Sequence, residues 1–272
     1  MPQGFLTAAA AVINTLFLVA GAYIYLSLGR QIAGRVADSE PSDPVRRTFG
    51  WPDVVLVCII MGLFLWNALS SVGVSGKMVL RTNDLIANAL VSAALFVFVA
   101  AFVNIRGISV SALAGWARVS FGRAVLTGTV LLFAAYPLIF VADLLSQRVL
   151  GGNSSRQGIV EMFADSQTLQ QRVLIIVLAV MVAPIVEEFV FRFFVYGVVK
   201  RYLGRFVGLL VNSLLFAAVH AHLPSAGPLF VLAACFTLAY EWSGSILVNM
   251  TMHALFNAVT LTALAFPDLF RQ

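Results

Sequence analysis

Apolar runs of some twenty residues recur along the whole of this 272-residue chain, and that recurrence constrains its fold more than any other feature. At about 1.5 Å per residue, a helical run of this length crosses the roughly 30 Å hydrocarbon core of a bilayer. Inside that core every backbone N–H and C=O must be satisfied within the protein, which a helix does with its own hydrogen bonds. Hydrophobic residues make up 61% of the sequence and charged residues 11%, against about 25% charged in soluble domains. The expected fold is all-α: a polytopic transmembrane bundle of about eight helices.

The expected segments are residues 5–28, 53–74, 84–105, 123–146, 171–199, 206–222, 227–241 and 245–266. The first five are long enough to span, whereas the seventh is short for a crossing. The opening run from Phe5 to Leu28 lacks the basic leader and cleavage site of a signal peptide, and is expected to be a retained first span. Residues Ile108 to Ala124, with Trp116 and basic side chains, read as an amphipathic interfacial piece. The organisation is then N-terminal transmembrane helices over 1–146, a polar loop over 147–171 and a helical core over 172–266, with an active site among the last four helices.

The net charge of +5 comes from Lys and Arg scattered through short loops. It reports orientation and excludes a nucleic-acid partner. An outside N-terminus leaves Arg30, Arg35, Arg46, Arg47, Arg106, Arg118, Arg123, Lys200, Arg201 and Arg205 inside, against Lys77, Arg81, Arg148, Arg156, Arg172 and Arg271 outside. The two cysteines, Cys58 and Cys235, fall within apolar runs and form no disulfide framework. The triplet Asn153-Ser154-Ser155 fits a glycosylation acceptor, a pattern common by chance.

Against this apolar background, Glu187, Glu188 and Arg192 interrupt the run LIIVLAVMVAPIVEEFVFRFFVYGVV. Each charge at the bilayer centre costs roughly 2.5–3.5 kcal/mol, so three left unpaired would oppose insertion by about 9 kcal/mol. Glu188 and Arg192 are i,i+4 neighbours and can form an ion pair on one helix face. Glu187 is rotated about 100° away from Glu188 and points elsewhere. Pro184, one turn earlier, removes a backbone donor and invites a kink beside the carboxylates. Further polar groups lie in the following apolar runs: His220 near the end of the sixth, and His253 and Asn257, again i,i+4, in the eighth.

These residue types suit hydrolysis of an amide by activated water. A buried carboxylate with no cation of its own takes a proton from water. With Arg192 neutralising Glu188, Glu187 is the group left for that task, and His220 positions the water or shares its proton. His253 and the Asn257 amide are donors for the oxyanion of a tetrahedral intermediate. Glu188 and Arg192 are supporting residues. A structural ion pair for Glu187 and satisfied core histidines are the bland alternatives, and the combination of three motifs outweighs them.

The spacings E-E-x-x-x-R at 187–192, F-x-x-x-H at 216–220 and H-x-x-x-N at 253–257 resemble the three motifs of the CAAX protease and bacteriocin-processing family of intramembrane endopeptidases. The resemblance covers roughly residues 170–262; the first four spans match only in general character. It implies a glutamate-dependent endopeptidase acting on a membrane-anchored protein or peptide, prenylated CAAX-type substrates included. Glu187 and His220 would activate water, His253 and Asn257 would stabilise the oxyanion, and the cavity would open to the cytosolic side. No cofactor is expected. A catalytic zinc would have Glu187, His220 and His253 as ligands, but the chain lacks a His-Glu-x-x-His pair, which favours a metal-free site. The competing functions are a proton-coupled transporter, against which the absence of an internal repeat counts, and a non-catalytic immunity or scaffold protein of the same fold. The protein is expected to be integral and multi-pass, in the cell membrane if the source is bacterial.

Overall fold

A computed structural model describes residues 3–37, 49–71, 82–150, 163–166 and 168–266. The Asn153–Ser155 triplet, most of the expected polar loop and six of the basic residues used for orientation (Arg46, Arg47, Lys77, Arg81, Arg156 and Arg271) lie outside them. Among the described residues all regular structure is helical. The helices are α1 (Gln3–Ala37), α2 (Trp51–Ser71), α3 (Thr82–Ile105), the short α4 (Val110–Ala114), α5 (Phe121–Leu150), α6 (Leu169–Val219), α7 (Ala226–Ser243) and α8 (Ile246–Ala265). Seven of these stretches are long and apolar enough to cross a membrane. The protein is an integral multi-pass membrane protein.

The expected fifth and sixth segments are the two limbs of α6, a helical run of 51 residues. Gly204 divides them, at φ 81° and ψ 171°, outside helical geometry and in a region that other residues enter only with strain. Glu241 of α7 ties the limbs together, forming ion pairs with Lys200 Nζ before the break and Arg205 Nε after it, at 2.5 and 2.9 Å. Other boundaries move outward. α5 runs on to Leu150, with Gln147 Nε2 donating to Asp143 Oδ2 one turn back at 2.7 Å. α6 starts at Leu169 behind a capping box in which Thr168 and Gln171 satisfy each other's backbone N–H. The short seventh segment reaches 21 residues because a 3₁₀ turn, Leu223–Ser225, leads into α7. The expected interfacial piece contains only the five-residue α4, capped by Ser109, before α5 begins.

The bundle is assembled around α5, which packs against α1, α7 and α8. Glycines allow two of these approaches. A Cβ on Gly21 of α1 would run into the Ala134 carbonyl of α5, and one on Gly128 of α5 would meet the Val248 carbonyl of α8 at 2.8 Å. In lipid, where tails are as apolar as side chains, such backbone proximity supplies the van der Waals contact that holds helices together. Gly128→Ala is therefore expected to destabilise the bundle by about 1–3 kcal/mol. A lowered melting temperature in detergent would show it, and Gly122→Ala, on the same helix with open space around it, should leave the melt unchanged.

The first limb of α6 is deeply buried from Val186 to Val198 except at Glu187. Phe189, Phe191, Phe193 and Phe194 are all buried, with Phe189 and Phe193 stacked at 4.8 Å between ring centroids. Phe96 of α3 and Phe64 of α2 cover Phe189 and Phe191. This aromatic packing fixes the helix that carries the glutamates.

Candidate active site

The glutamates lie in a helix that is not uniformly α. A π-helical stretch, Leu178–Val182, precedes the α-helical turn and a half Ala183–Glu188, and a second, Phe189–Val195, follows it. Pro184 explains the first. Lacking an N–H, it cannot bond back along the helix, and the preceding Ala183 N–H reaches five residues back to the Leu178 carbonyl. The Ala179 carbonyl is thereby released from both of its usual helical partners. The Asn257 side chain of α8 fills the gap, its Nδ2–H donating to that carbonyl at 2.7 Å. Because a carbonyl only accepts, the bond also fixes which way the Asn257 amide points. One N–H of Asn257 is thus committed to the scaffold and the other remains.

Glu188 and Arg192 are both fully buried, 3.1 Å apart between Oε1 and Nη1. The contact is an ion pair by distance without the angles of a hydrogen bond. Arg192 is further stabilised by aromatic faces: its Cζ lies 4.4 Å from the centroid of Phe216 and 5.1 Å from that of Phe236. A desolvated cation over a ring gains about 2 kcal/mol. The same Glu188 Oε1 accepts from His253 Nδ1 at 2.8 Å. That bond places a proton on Nδ1, sets the ring plane and turns Nε2 toward Glu187, whose Oε2 is 3.9 Å away. Glu188 is therefore more than a partner for Arg192: it orients His253.

Glu187 points away from this pair, its side chain 31% exposed to the cavity while Oε2 has no hydrogen-bond partner among the described residues. His220 ends the second limb of α6. Its Nδ1 lies 2.6 Å from the Phe216 carbonyl, which again requires the proton on Nδ1 and leaves the Nε2 lone pair free. Phe216 thus serves both histidine and arginine, through its carbonyl and its ring. His222 is turned aside, with Nδ1 at 2.7 Å from Ser225 Oγ at the turn into α7.

Glu187, His220, His253 and Asn257 together line a cavity of about 310 Å³, with Phe216, Leu229 and Leu232 among its apolar walls. A second cavity of about 400 Å³ adjoins it between α2, α3 and the first limb of α6. Asn88, Leu178, Ala183, Glu187 and His220 line both. Asn88 of α3 and Asn67 of α2 are cavity residues that the motif-based reading passes over. Their signal in the sequence is an amide inside an apolar run, weaker than a charge because an uncharged amide costs less to bury.

The ligand set a zinc ion would need does not converge. Among the described residues no three His, Cys, Asp or Glu side chains are grouped so as to hold a metal.

No curated protein and no solved structure matches the chain. A protein-family model described as "Rce1-like: Type II CAAX prenyl endopeptidase Rce1-like" matches residues 169–259, from the first turn of α6 well into α8. Every residue from Glu187 to Asn257 discussed above falls inside that stretch. The helices that enclose the glutamates, residues 169–259, are thus similar to the Rce1-like type II CAAX prenyl endopeptidases.

Proposed function

We propose that this protein is an intramembrane endopeptidase that hydrolyses a peptide bond of a membrane-anchored protein or peptide, prenylated CAAX-type substrates included, using water activated by Glu187. The observation that carries the reading is the shared cavity: a carboxylate whose Oε2 has no hydrogen-bond partner among the described residues, two oriented imidazoles and a fixed amide around about 310 Å³ of space. A structural ion pair needs no such opening, and Glu188 with Arg192 already supplies one.

In this mechanism a water beside Glu187 gives its proton to the carboxylate as its oxygen bonds to the scissile carbonyl carbon. The free Nε2 lone pair of His220 accepts the water's second hydrogen and holds it in line. The carbonyl electron pair moves to oxygen, and the resulting oxyanion accepts from the uncommitted N–H of Asn257 and from His253 when Nε2 also carries a proton. Donors held in place before the reaction cost no reorganisation during it. Collapse breaks the C–N bond, and the proton on Glu187 passes to the leaving amine.

Mass spectrometry of membrane peptides from cells carrying the active protein or its Glu187→Ala variant tests the reading. A cleaved species should be present only with the active form. Identical peptide sets from the two would sink it.

A further inference from the structure

The second cavity has a composition that the catalytic proposal leaves unused. Away from Glu187 and His220 its α6 wall is apolar, with Val182, Val186 and Val190, while its α2 and α3 wall carries Asn67, Asn88 and Ser92 among apolar side chains. None of these three polar side chains makes a hydrogen bond among the described residues. Several polar groups of the C-terminal helices, by contrast, are partnered within the protein. The three asparagines of the C-terminal helices, Asn212, Asn249 and Asn257, each donate to a partner. Hydroxyls on the spanning helices, such as those of Thr129, Thr251 and Thr260, bond back to the carbonyl four residues earlier. Asn67 and Asn88 are exposed and Ser92 is half-buried, so their donors and acceptors are open to a ligand in the cleft.

An extended peptide fits the wall. Each of its residues brings an N–H and a C=O that must be paired away from water, and an asparagine amide offers both a donor and an acceptor. Asn88 and Ser92 are one turn apart, about 6 Å along the helix axis, near the roughly 6.8 Å repeat at which alternate residues of an extended chain present the same face. The opposite valine wall would receive apolar side chains. A bare hydrocarbon chain would have no use for the amides. Asn88 is placed at the junction, lining the cavity of Glu187 and His220 as well as the cleft.

We propose that Asn88 binds the backbone of the substrate peptide next to the scissile bond, and that the α2–α3–α6 cleft receives the extended apolar segment continuing from it. The proposal rests on the proteolytic reading for the identity of its ligand. It assigns part of substrate recognition to α3, outside residues 169–259 that the family model covers.

The probe is a quenched-fluorescent peptide ending in a prenylated cysteine, two aliphatic residues and a C-terminal residue. Turnover is measured on the full-length protein in detergent, and binding of the same peptide is read by anisotropy on the Glu187→Gln protein, which holds it without cleaving. Asn88→Leu removes the amide at nearly constant volume, and should raise both KM and the dissociation constant about tenfold, the loss of one buried hydrogen-bonding group, with kcat changed less than twofold. Asn83→Leu, the same substitution on the same helix outside both cavities, should change neither. Unaltered binding in Asn88→Leu would overturn the proposal while leaving proteolysis standing, provided Glu187→Ala is inactive. Failure of the Glu187→Gln protein to bind the peptide would overturn it too. Weakened binding in Asn88→Leu without turnover by the wild-type protein would support the cleft and remove the hydrolytic reading instead.

Discussion

Glu187→Gln is expected to lower kcat for peptide cleavage by roughly 10²–10⁴-fold, the scale of a lost general base, with little change in KM or in melting temperature. Stability should survive because Glu187 has no close ion-pair partner: His253 Nε2 is 3.9 Å away, and the buried charge of Arg192 is met by Glu188. Glutamine keeps the shape of the carboxylate and loses only its capacity to take a proton. Kinetics on protein purified in detergent, alongside a thermal melt, separate the two effects. A variant that melts normally yet retains wild-type kcat would remove Glu187 from the chemistry.

Arg192→Ala is expected to act in the opposite manner, on the fold first. The substitution leaves Glu188 charged at a site with no solvent exposure and also removes a cation stacked between Phe216 and Phe236. Breaking a buried pair from one side costs about 3–5 kcal/mol, a large part of a typical protein's stability of roughly 5–15 kcal/mol. His253 would lose its fixed orientation as well, because the carboxylate that holds Nδ1 would seek other partners. The double variant Arg192→Met with Glu188→Gln should recover part of the stability, since it leaves no orphan charge, without recovering activity. Chemical unfolding in detergent micelles measures the first effect, and an Arg192→Ala protein as stable as wild type would contradict the assignment of this pair as structural.

The fold was readable from the chain to the degree that it is local. Hydrophobic run length sets which segments cross a bilayer, and the spans sit close to where the apolar runs are. The misplacements have physical causes. Gln147 and Arg148 are polar but good helix formers, so α5 continues through a stretch that hydropathy assigns to a loop. The two segments meeting near Gly204 read as separate helices because glycine and basic residues punctuate the run; the structure makes them limbs of one run, tied across the break by Glu241.

Within the candidate site, the pairing of Glu188 with Arg192 and the disturbance at Pro184 belonged to the sequence, because one turn of helix dictates what an i,i+4 neighbour or a missing N–H will do. No local rule says that Glu188 shares its Oε1 with a histidine 65 positions later, or that Asn257 repairs a carbonyl 78 positions earlier. Those contacts depend on how α8 packs against α6, with α8 itself held close to α5 at Gly128. Asn88 is a still stronger case. Nothing near it in the chain distinguishes it from Asn83, and only the placement of α3 beside the first limb of α6 puts one amide at the cavity and the other outside. The sequence by itself determined that ionisable groups would be buried in membrane helices and which of them lay within one turn of each other. The tertiary structure decided which groups across helices meet, because side chains far apart in the chain come together only when the helices carrying them pack.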